Sequence, residues 1–202
     1  GYTDRIDYFT IASTGNATDF GNASTAGTDG GANANPTRGI HAGGHVSPAD
    51  ARSNHIDYFT IMSAGNSTDF GNLAAAIQGM AWSSSTTRGV SSGGATTPGN
   101  GTEVNTMQYI EYATTGDTSD FGDLTAVREF ACGNSNSKRG IISGGKDHPA
   151  NALNFIEYYS ISSLGNSADF GDLTSARVQC YNGSNGTGHG GLEDELPQRA
   201  SV

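Results

Sequence analysis

One short pattern recurs four times along the chain and constrains its fold more than any other feature. An Asp-Phe-Gly triplet begins at Asp19, Asp69, Asp120 and Asp169, so successive copies lie 50, 51 and 49 residues apart. Each triplet follows a six-residue run of mainly β-branched and aromatic residues and then a Gly-Asn or Gly-Asp pair. A period of this length is typical of proteins built from stacked structural repeats. The sequence therefore predicts a repeat architecture.

Each repeat divides into four pieces that predict four short antiparallel strands. The six-residue run, such as 56–61, favours a strand, and the Gly-Asn pair after it predicts a hairpin turn. The Asp-Phe-Gly strand follows, then a variable inner strand (76–82 and 127–133), then an Arg-Gly strand that ends in a Gly-Gly doublet. Only 34% of the residues are hydrophobic and 30 are Gly, which suits short strands and many turns. We therefore expect an all-β fold.

The repeats predict one domain over residues 1–191 and an acidic tail over 192–202. The four repeats span 6–55, 56–106, 107–155 and 156–191. Read as four-stranded sheets, the first sheet holds only the two outer strands, and the matching inner pair comes last in the chain. We expect the ring to close within one chain. The alternative is an open array that a neighbouring subunit completes, as a homo-oligomer.

Charge limits the classes of partner. The formal net charge is -10, with 20 acidic and 10 basic residues. Binding to nucleic acid requires clustered Lys and Arg, and anionic membranes attract the same residues. The apolar runs are too short to cross a bilayer. We therefore expect no nucleic-acid partner and no membrane insertion.

The order of motifs within a repeat resembles that of the Kelch repeat. Gly144-Gly145, Tyr158-Tyr159, Phe170, Leu173 and Arg177 follow one another as the doublet, aromatic strand, second aromatic strand and Arg do in that family. Phe replaces the Trp that is usual in Kelch repeats, and four repeats are few for a Kelch propeller. The resemblance implies a Kelch-like β-propeller of four repeats.

A second, narrower resemblance carries an expectation about function. The pattern IDYxTI…TDFGDL…RGxxxGG is similar to tandem repeats of aquatic bacteriophage proteins, some of them structural or tail-fibre proteins. It implies a non-enzymatic protein on a virion surface or outside the cell, with other virion proteins and a host glycan or receptor as partners. The alternatives are a secreted filament or surface-layer subunit of a microbe and, third, a Kelch-type enzyme.

Four residue types recur at fixed places and are interpreted as structural. We expect the Phe of each triplet to be buried between repeats, the Asp to cap turn N–H groups or pair with Arg, and the Gly doublet to serve a backbone requirement. A calcium site at the Asp-rich turns is the alternative, since carboxylate oxygens suit Ca²⁺. The residues are Phe20, Phe70, Phe121, Phe170, Asp19, Asp69, Asp120, Asp169, Arg38, Arg88, Arg139, Gly43, Gly93 and Gly144.

The loops between the Gly doublet and the next aromatic strand differ in sequence from repeat to repeat. They cover 45–55, 95–106 and 146–155. Variable loops on one face of a repeat array are a common place for binding. The candidate binding residues are His45, Asp50, Arg52, Asn100, Glu103, Lys146, Asp147 and His148.

The sequence predicts no catalytic residues, no cofactor and no metal centre. The five His residues fall at different repeat positions, and no nucleophile elbow, phosphate-binding loop or zinc-protease motif occurs. Cys132 and Cys180 lie near equivalent positions of successive repeats. Two buried thiols and a disulfide between repeats both remain open.

Overall fold

The protein is described from a computed structural model that covers residues 2–46, 51–96, 102–148 and 151–179. Those residues form strands, turns and bends without a helix, so the prediction of an all-β fold is confirmed. The strands group into four antiparallel sheets. The tail at 192–202, the last inner pair within 180–191 and Cys180 lie outside the described residues.

The first sheet is formed mainly by the aromatic and Asp-Phe-Gly strands of the first repeat, joined by two very short strands. Its order is β1-β2-β5-β6. The strands are β1 (Thr3–Tyr8), β2 (Thr18–Thr28), β5 (His45–Val46) and β6 (Ala51–Arg52).

The second and third sheets each contain four strands of the same four kinds. In both, the order is inner strand, Arg-Gly strand, aromatic strand and Asp-Phe-Gly strand. The second sheet contains β3 (Gly31–Ala34), β4 (Arg38–Ala42), β7 (His55–Thr60) and β8 (Thr68–Asn72). The third sheet contains β9 (Ala81–Ser84), β10 (Arg88–Ser92), β11 (Thr106–Glu111) and β12 (Ser119–Asp123).

The fourth sheet repeats this order and adds one short strand. Its path runs β13-β14-β16, and both β15 and β17 pair with β16. The strands are β13 (Cys132–Ser135), β14 (Arg139–Ser143), β15 (Lys146–Asp147), β16 (Asn151–Ser160) and β17 (Ala168–Arg177). Each of the last three sheets therefore combines the inner pair of one repeat with the outer pair of the next, as expected from the sequence.

The apolar core lies between neighbouring sheets. One cluster joins the second and third sheets and includes Ile40, Phe70, Trp82 and Tyr112. A second cluster joins the third and fourth sheets and includes Val90, Phe121, Ile142, Tyr159 and Ile161. Because each sheet presents apolar side chains to its neighbour, stacking the repeats is what buries the core.

One expectation about local structure was wrong. The inner strands begin later than predicted, at Ala81 and Cys132, because the residues before them form connecting segments that bury Ile77 and Met80. The hairpins predicted at the Gly-Asn pairs are confirmed, since each aromatic strand pairs with the Asp-Phe-Gly strand that follows it. The strands β7 and β8 are joined by the loop 61–67, and the pair within it contacts another repeat.

The buried-Phe prediction is confirmed for three repeats and wrong for the fourth. Phe20, Phe70 and Phe121 are 8%, 3% and 2% exposed, whereas Phe170 is 55% exposed. The first three are covered by the following repeat. None of the described residues covers the fourth in this way.

Candidate functional site

Neighbouring sheets are joined by a backbone contact that occurs three times in the same register. The Gly of each Gly-Asn or Gly-Asp pair donates its N–H to the carbonyl of the preceding repeat's Phe. The three bonds are Gly65 to Phe20 at 2.7 Å, Gly116 to Phe70 at 2.7 Å and Gly165 to Phe121 at 2.8 Å.

Two further hydrogen bonds complete each of these contacts. At the first contact, the Ser67 N–H donates to the Asn22 carbonyl at 2.8 Å, and the Asn22 N–H donates to Asn66 Oδ1 at 3.0 Å. Asp117 and Asn166 accept in the same way from Asn72 and Asp123, at 2.9 and 3.0 Å. The Gly-Asn or Gly-Asp pair therefore connects each repeat to the preceding one by hydrogen bonds.

The Gly of the Asp-Phe-Gly triplet makes this close approach feasible. Gly21, Gly71 and Gly122 have φ of 148°, 146° and 145°, a region that L side chains rarely adopt. A Cβ at Gly21 would lie 2.3 Å from the Gly65 carbonyl oxygen. Any side chain at this position would push the next repeat away.

A polar residue at the centre of each contact binds the backbone of the preceding repeat. Asp57 accepts from the N–H and hydroxyl of Ser24 at 3.1 and 2.7 Å, and Gln108 accepts from the Ala74 N–H at 2.9 Å. Glu157 accepts from the Thr125 N–H and hydroxyl at 3.0 and 2.6 Å. These side chains are buried, and hydrogen bonds offset the cost of their desolvation.

The third contact also holds a buried ion pair. Arg128 and Glu157 form a salt bridge with side chains 1% and 2% exposed, and Ser167 donates its hydroxyl to the same carboxylate. Burial lowers the pKa of Arg128, while Glu157 opposes that shift. A charged pair in this position serves the register of the repeats, because either group alone would be costly to bury.

The repeat Arg residues stack on aromatic rings more consistently than they pair with carboxylates. The guanidinium groups of Arg38, Arg88 and Arg139 lie 4.7, 4.4 and 4.6 Å from the ring centroids of Tyr58, Tyr109 and Tyr158.

Two of these Arg side chains also reach the next sheet. Arg38 donates to the Tyr112 carbonyl, and Arg88 donates to the Ile161 carbonyl at 2.9 Å. Arg88 in addition pairs with Glu111 at 2.7 Å. The stack on the Tyr ring therefore holds each guanidinium group within its own sheet, and the hydrogen bonds of Arg38 and Arg88 to a backbone carbonyl connect neighbouring sheets.

The Asp residues of the triplets lie on the exposed side of the outer strands. Asp19 is 3.8 Å from Arg5, Asp69 is 3.7 Å from His55, and Asp169 accepts from the Gly171 N–H at 3.1 Å. Within the described ranges, no three His, Cys, Asp or Glu side chains converge on a point that would hold a metal ion. Calcium at these turns was an alternative interpretation and remains untested.

The Gly doublets meet the predicted backbone requirement. Gly43, Gly93 and Gly144 have φ of 63°, 66° and 64°. A Cβ at Gly43 or Gly93 would lie 2.5 Å from a carbonyl oxygen of a neighbouring segment. The doublet therefore serves the turn out of the Arg-Gly strand.

The three variable loops are short hairpins that leave the same end of the last three sheets. Each joins the Arg-Gly strand to the aromatic strand, and we call their shared surface the hairpin face. Their bases pair at His45 with Arg52, at Ala95 with Glu103 and at Lys146 with Ala152.

The base of each hairpin is held by the segment that precedes the inner strand of the same sheet. Thr28 pairs with His45, Gln78 pairs with Ala95, and Glu129 pairs with Lys146. Asp50 and Asn100 lie outside the described residues.

The candidate binding residues occupy different positions on this face. His45 contacts Tyr2 edge to face with ring centroids 5.9 Å apart. The Lys146 Nζ lies 2.8 Å from Glu129 Oε1, so this side chain is partly structural. Arg52, Glu103 and Asp147 are half-buried, and His148 is exposed. The structure brings the residues to one face but does not gather them into one pocket.

A separate cleft opens between the first and second sheets. It has a volume of about 600 Å³ and is lined by Ile6, Ala32, Ile40, Phe59 and Ile61, among others. Both later sheet-to-sheet boundaries, unlike this one, are filled by clusters of buried core side chains.

Sequence reasoning missed the polar residue of each aromatic strand, which is buried in the last three repeats. Asp7, Asp57, Gln108 and Glu157 follow the first apolar residue of each run. A polar side chain recurring at one place in an otherwise apolar strand was a signal that a buried hydrogen bond required it.

Comparison with known proteins assigns the chain to no family. The chain matches no protein-family model and no curated protein among those compared with it. The part of the chain that the structure describes contains no helix with the length and hydrophobicity to span a bilayer.

Proposed function

We propose that this chain is a non-enzymatic structural and binding protein of an exposed appendage, such as a bacteriophage tail fibre. In this proposal its repeats form a Kelch-like array of propeller blades that a neighbouring subunit completes, and its hairpin face contacts a host glycan or receptor or a neighbouring virion protein. The virion surface is the expected location. The resemblance of the repeats to bacteriophage structural proteins supports this choice of particle.

One observation carries the binding role. The contacts between sheets use the same residues in the same register three times, whereas the hairpins differ in sequence at equivalent positions. A constant scaffold that presents variable loops at one end is typical of binding proteins. The buried polar side chains of the scaffold bind the preceding repeat, which leaves the hairpins as the surface whose sequence differs from sheet to sheet.

The binding role is tested by removing side chains from one hairpin. A variant with Asp147→Ser and His148→Ser, which leaves the Lys146–Glu129 ion pair intact, is compared with the wild type on an array of bacterial surface polysaccharides. We expect at least tenfold weaker binding to the glycan that the wild type prefers. The matched control changes Thr114→Ala and Thr115→Ala, which are exposed in a loop at the other end of the sheets.

Two outcomes would contradict glycan binding by the hairpin face. The first is a hairpin variant that binds the preferred glycan as tightly as the wild type. The second is a wild type that binds no polysaccharide, which would leave neighbouring virion proteins as the partners of the hairpin face.

A self-assembling filament or surface-layer subunit is the second candidate. The observation that favours it is the exposed edge around Phe170, where three equivalent edges are covered by another repeat.

A further inference from the structure

In each of the first three repeats, the Asp-Phe-Gly strand accepts hydrogen bonds from the Gly-Asn or Gly-Asp loop of the next repeat, and we call this surface the acceptor edge. The last outer strand has the same Asp-Phe-Gly sequence, but none of the described residues covers it. Residues 169–174 read Asp-Phe-Gly-Asp-Leu-Thr, identical to residues 120–125. A Cβ at Gly122 would lie 2.5 Å from the Gly165 carbonyl oxygen of the covering loop. A Cβ at Gly171, where φ is 138°, would have no atom within 4 Å. At Gly171 the backbone therefore keeps the conformation found at Gly122 in a filled site.

The first repeat carries the matching loop. Residues 9–17 are exposed throughout, with Phe9 at 70% and Ile11 at 93%. Gly15 follows Phe9 at the same interval at which Gly165 follows Tyr159. In repeats two to four, the equivalent loop lies on the edge of the preceding repeat. The loop at Gly15 is thus a donor without an acceptor among the described residues.

We propose that the Phe170 edge of one copy of this chain binds the Gly15-Asn16 loop of a second copy, head to tail. The three internal contacts set the register. The Gly15 N–H donates to the Phe170 carbonyl, the Ala17 N–H donates to the Asp172 carbonyl, and the Asp172 N–H donates to Asn16 Oδ1. All of these backbone groups lie on exposed segments.

Side-chain charges on the two surfaces are complementary in the same register. Asp7 stands where Glu157 stands in the fourth repeat, and Arg177 stands where Arg128 stands in the third. Arg177 is exposed, and the Asp7 side chain is 46% exposed beside Arg5. Docking therefore pairs Arg177 of one copy with Asp7 of the next, as Arg128 pairs with Glu157 within the chain.

Apolar contacts extend the match. Phe121 packs edge to face on Tyr159 with ring centroids 5.3 Å apart, and Phe20 packs on Phe59 at 5.5 Å. The equivalent pair across the new contact is Phe170 with Phe9. Burying two rings that are each more than half exposed supplies the hydrophobic part of the binding energy.

The occupant is a second copy because the two surfaces are separately exposed in the same chain. If the loop at Gly15 covered its own Phe170 edge, Phe9 and Phe170 would be buried as their equivalents are. This contact goes beyond the proposed binding role, since none of its residues belongs to the hairpin face. Its test uses purified protein without any glycan, so the two proposals fail independently.

The test uses two variants that each block one surface. Phe9→Asp with Asn16→Ala blocks the donor loop, and Phe170→Asp blocks the acceptor edge. In sedimentation velocity, the wild type is expected to grow beyond the 20.7 kDa monomer as concentration rises. Each variant alone is expected to stay monomeric, with at least tenfold weaker self-association. An equimolar mixture is expected to form a one-to-one dimer, because it restores one intact contact.

Folding is checked by circular dichroism and thermal unfolding. Both blocked variants are expected to match the wild type, because the replaced side chains are exposed. Phe121→Asp, the same change inside a filled contact, is expected to unfold. A wild type that stays monomeric at about 100 μM overturns the proposal. So does a mixture without the dimer, or a blocked variant that assembles like the wild type.

Discussion

Two copies of one sequence, Asp-Phe-Gly-Asp-Leu-Thr, have opposite surroundings in this molecule. At 120–125 the strand is covered by the loop of the next repeat, and Phe121 is 2% exposed. At 169–174 the same six residues form an outer edge, and Phe170 is 55% exposed. The difference comes from the neighbour alone. In a repeat protein, local sequence specifies the shape of an edge, and the following repeat decides whether that edge is core or surface.

Replacing Phe121 and Phe170 by Ala, one at a time, should give the largest difference in the free energy of unfolding between equivalent positions. We expect Phe121→Ala to lower the free energy of unfolding by about 3–5 kcal/mol, because it leaves a cavity between two sheets. Phe170→Ala should lower it by less than about 1 kcal/mol in the monomer. Chemical denaturation at low protein concentration measures both values. Equal losses would mean that the edge at Phe170 is covered.

Replacing the carboxylates of Glu157 and Asp7 should give the next largest difference in the free energy of unfolding. Glu157→Gln leaves the buried Arg128 without its carboxylate, and we expect a loss of about 3 kcal/mol. Asp7→Asn makes the same kind of change at the unfilled position and should cost less than about 0.5 kcal/mol. The measurement is the unfolding free energy of monomeric samples. A large effect of Asp7→Asn would show that its carboxylate is engaged within the chain.

The filled contacts also differ from one another in their response to pH. His41 lies near Asp57 and His55 at the first contact, and burial lowers its pKa below the ordinary value of 6.5, with Asp57 opposing and His55 reinforcing the shift. The unfolded chain therefore takes up this proton more readily than the folded chain. The contribution of His41 to stability is full above about pH 6.5 and is lost as the pH falls below it.

His41→Gln should flatten the dependence of stability on pH between about 6.5 and 5. The slope that one proton contributes is at most about 1.4 kcal/mol per pH unit. Thermal unfolding at a series of pH values compares the variant with the wild type. If both curves have the same slope in this range, the neutral form of His41 is not what the fold requires.

The sequence predicted the parts of the fold that repeat and missed what lies between the repeats. The all-β fold followed from apolar runs and turn residues that recur every 50 residues or so. The same recurrence predicted that each sheet combines the inner pair of one repeat with the outer pair of the next. The role of the Gly-Asn pair did not follow, because a Gly-Asn pair after a strand normally indicates a tight turn. Its contact with another repeat depends on how two sheets stack.

The candidate site was predicted less well than the fold. Repetition identified the variable loops and the Arg residues, but their partners lie far apart in sequence, such as Arg88 and Ile161. The exposure of Phe170 was not predictable from its own residues, since Phe121 has identical neighbours. The presence of only four repeats did indicate where to look, because an open array leaves one surface uncovered at each end.

Amide hydrogen exchange of four equivalent Gly residues tests the central claim most directly. Gly65, Gly116 and Gly165 donate to a preceding Phe carbonyl, whereas Gly15 has no such partner within the described chain. In dilute monomeric protein, we expect slow exchange at the first three amides and fast exchange at Gly15. Concentrating the sample should slow Gly15 as copies associate. Protection of Gly15 in the monomer equal to that of the other three would contradict the account.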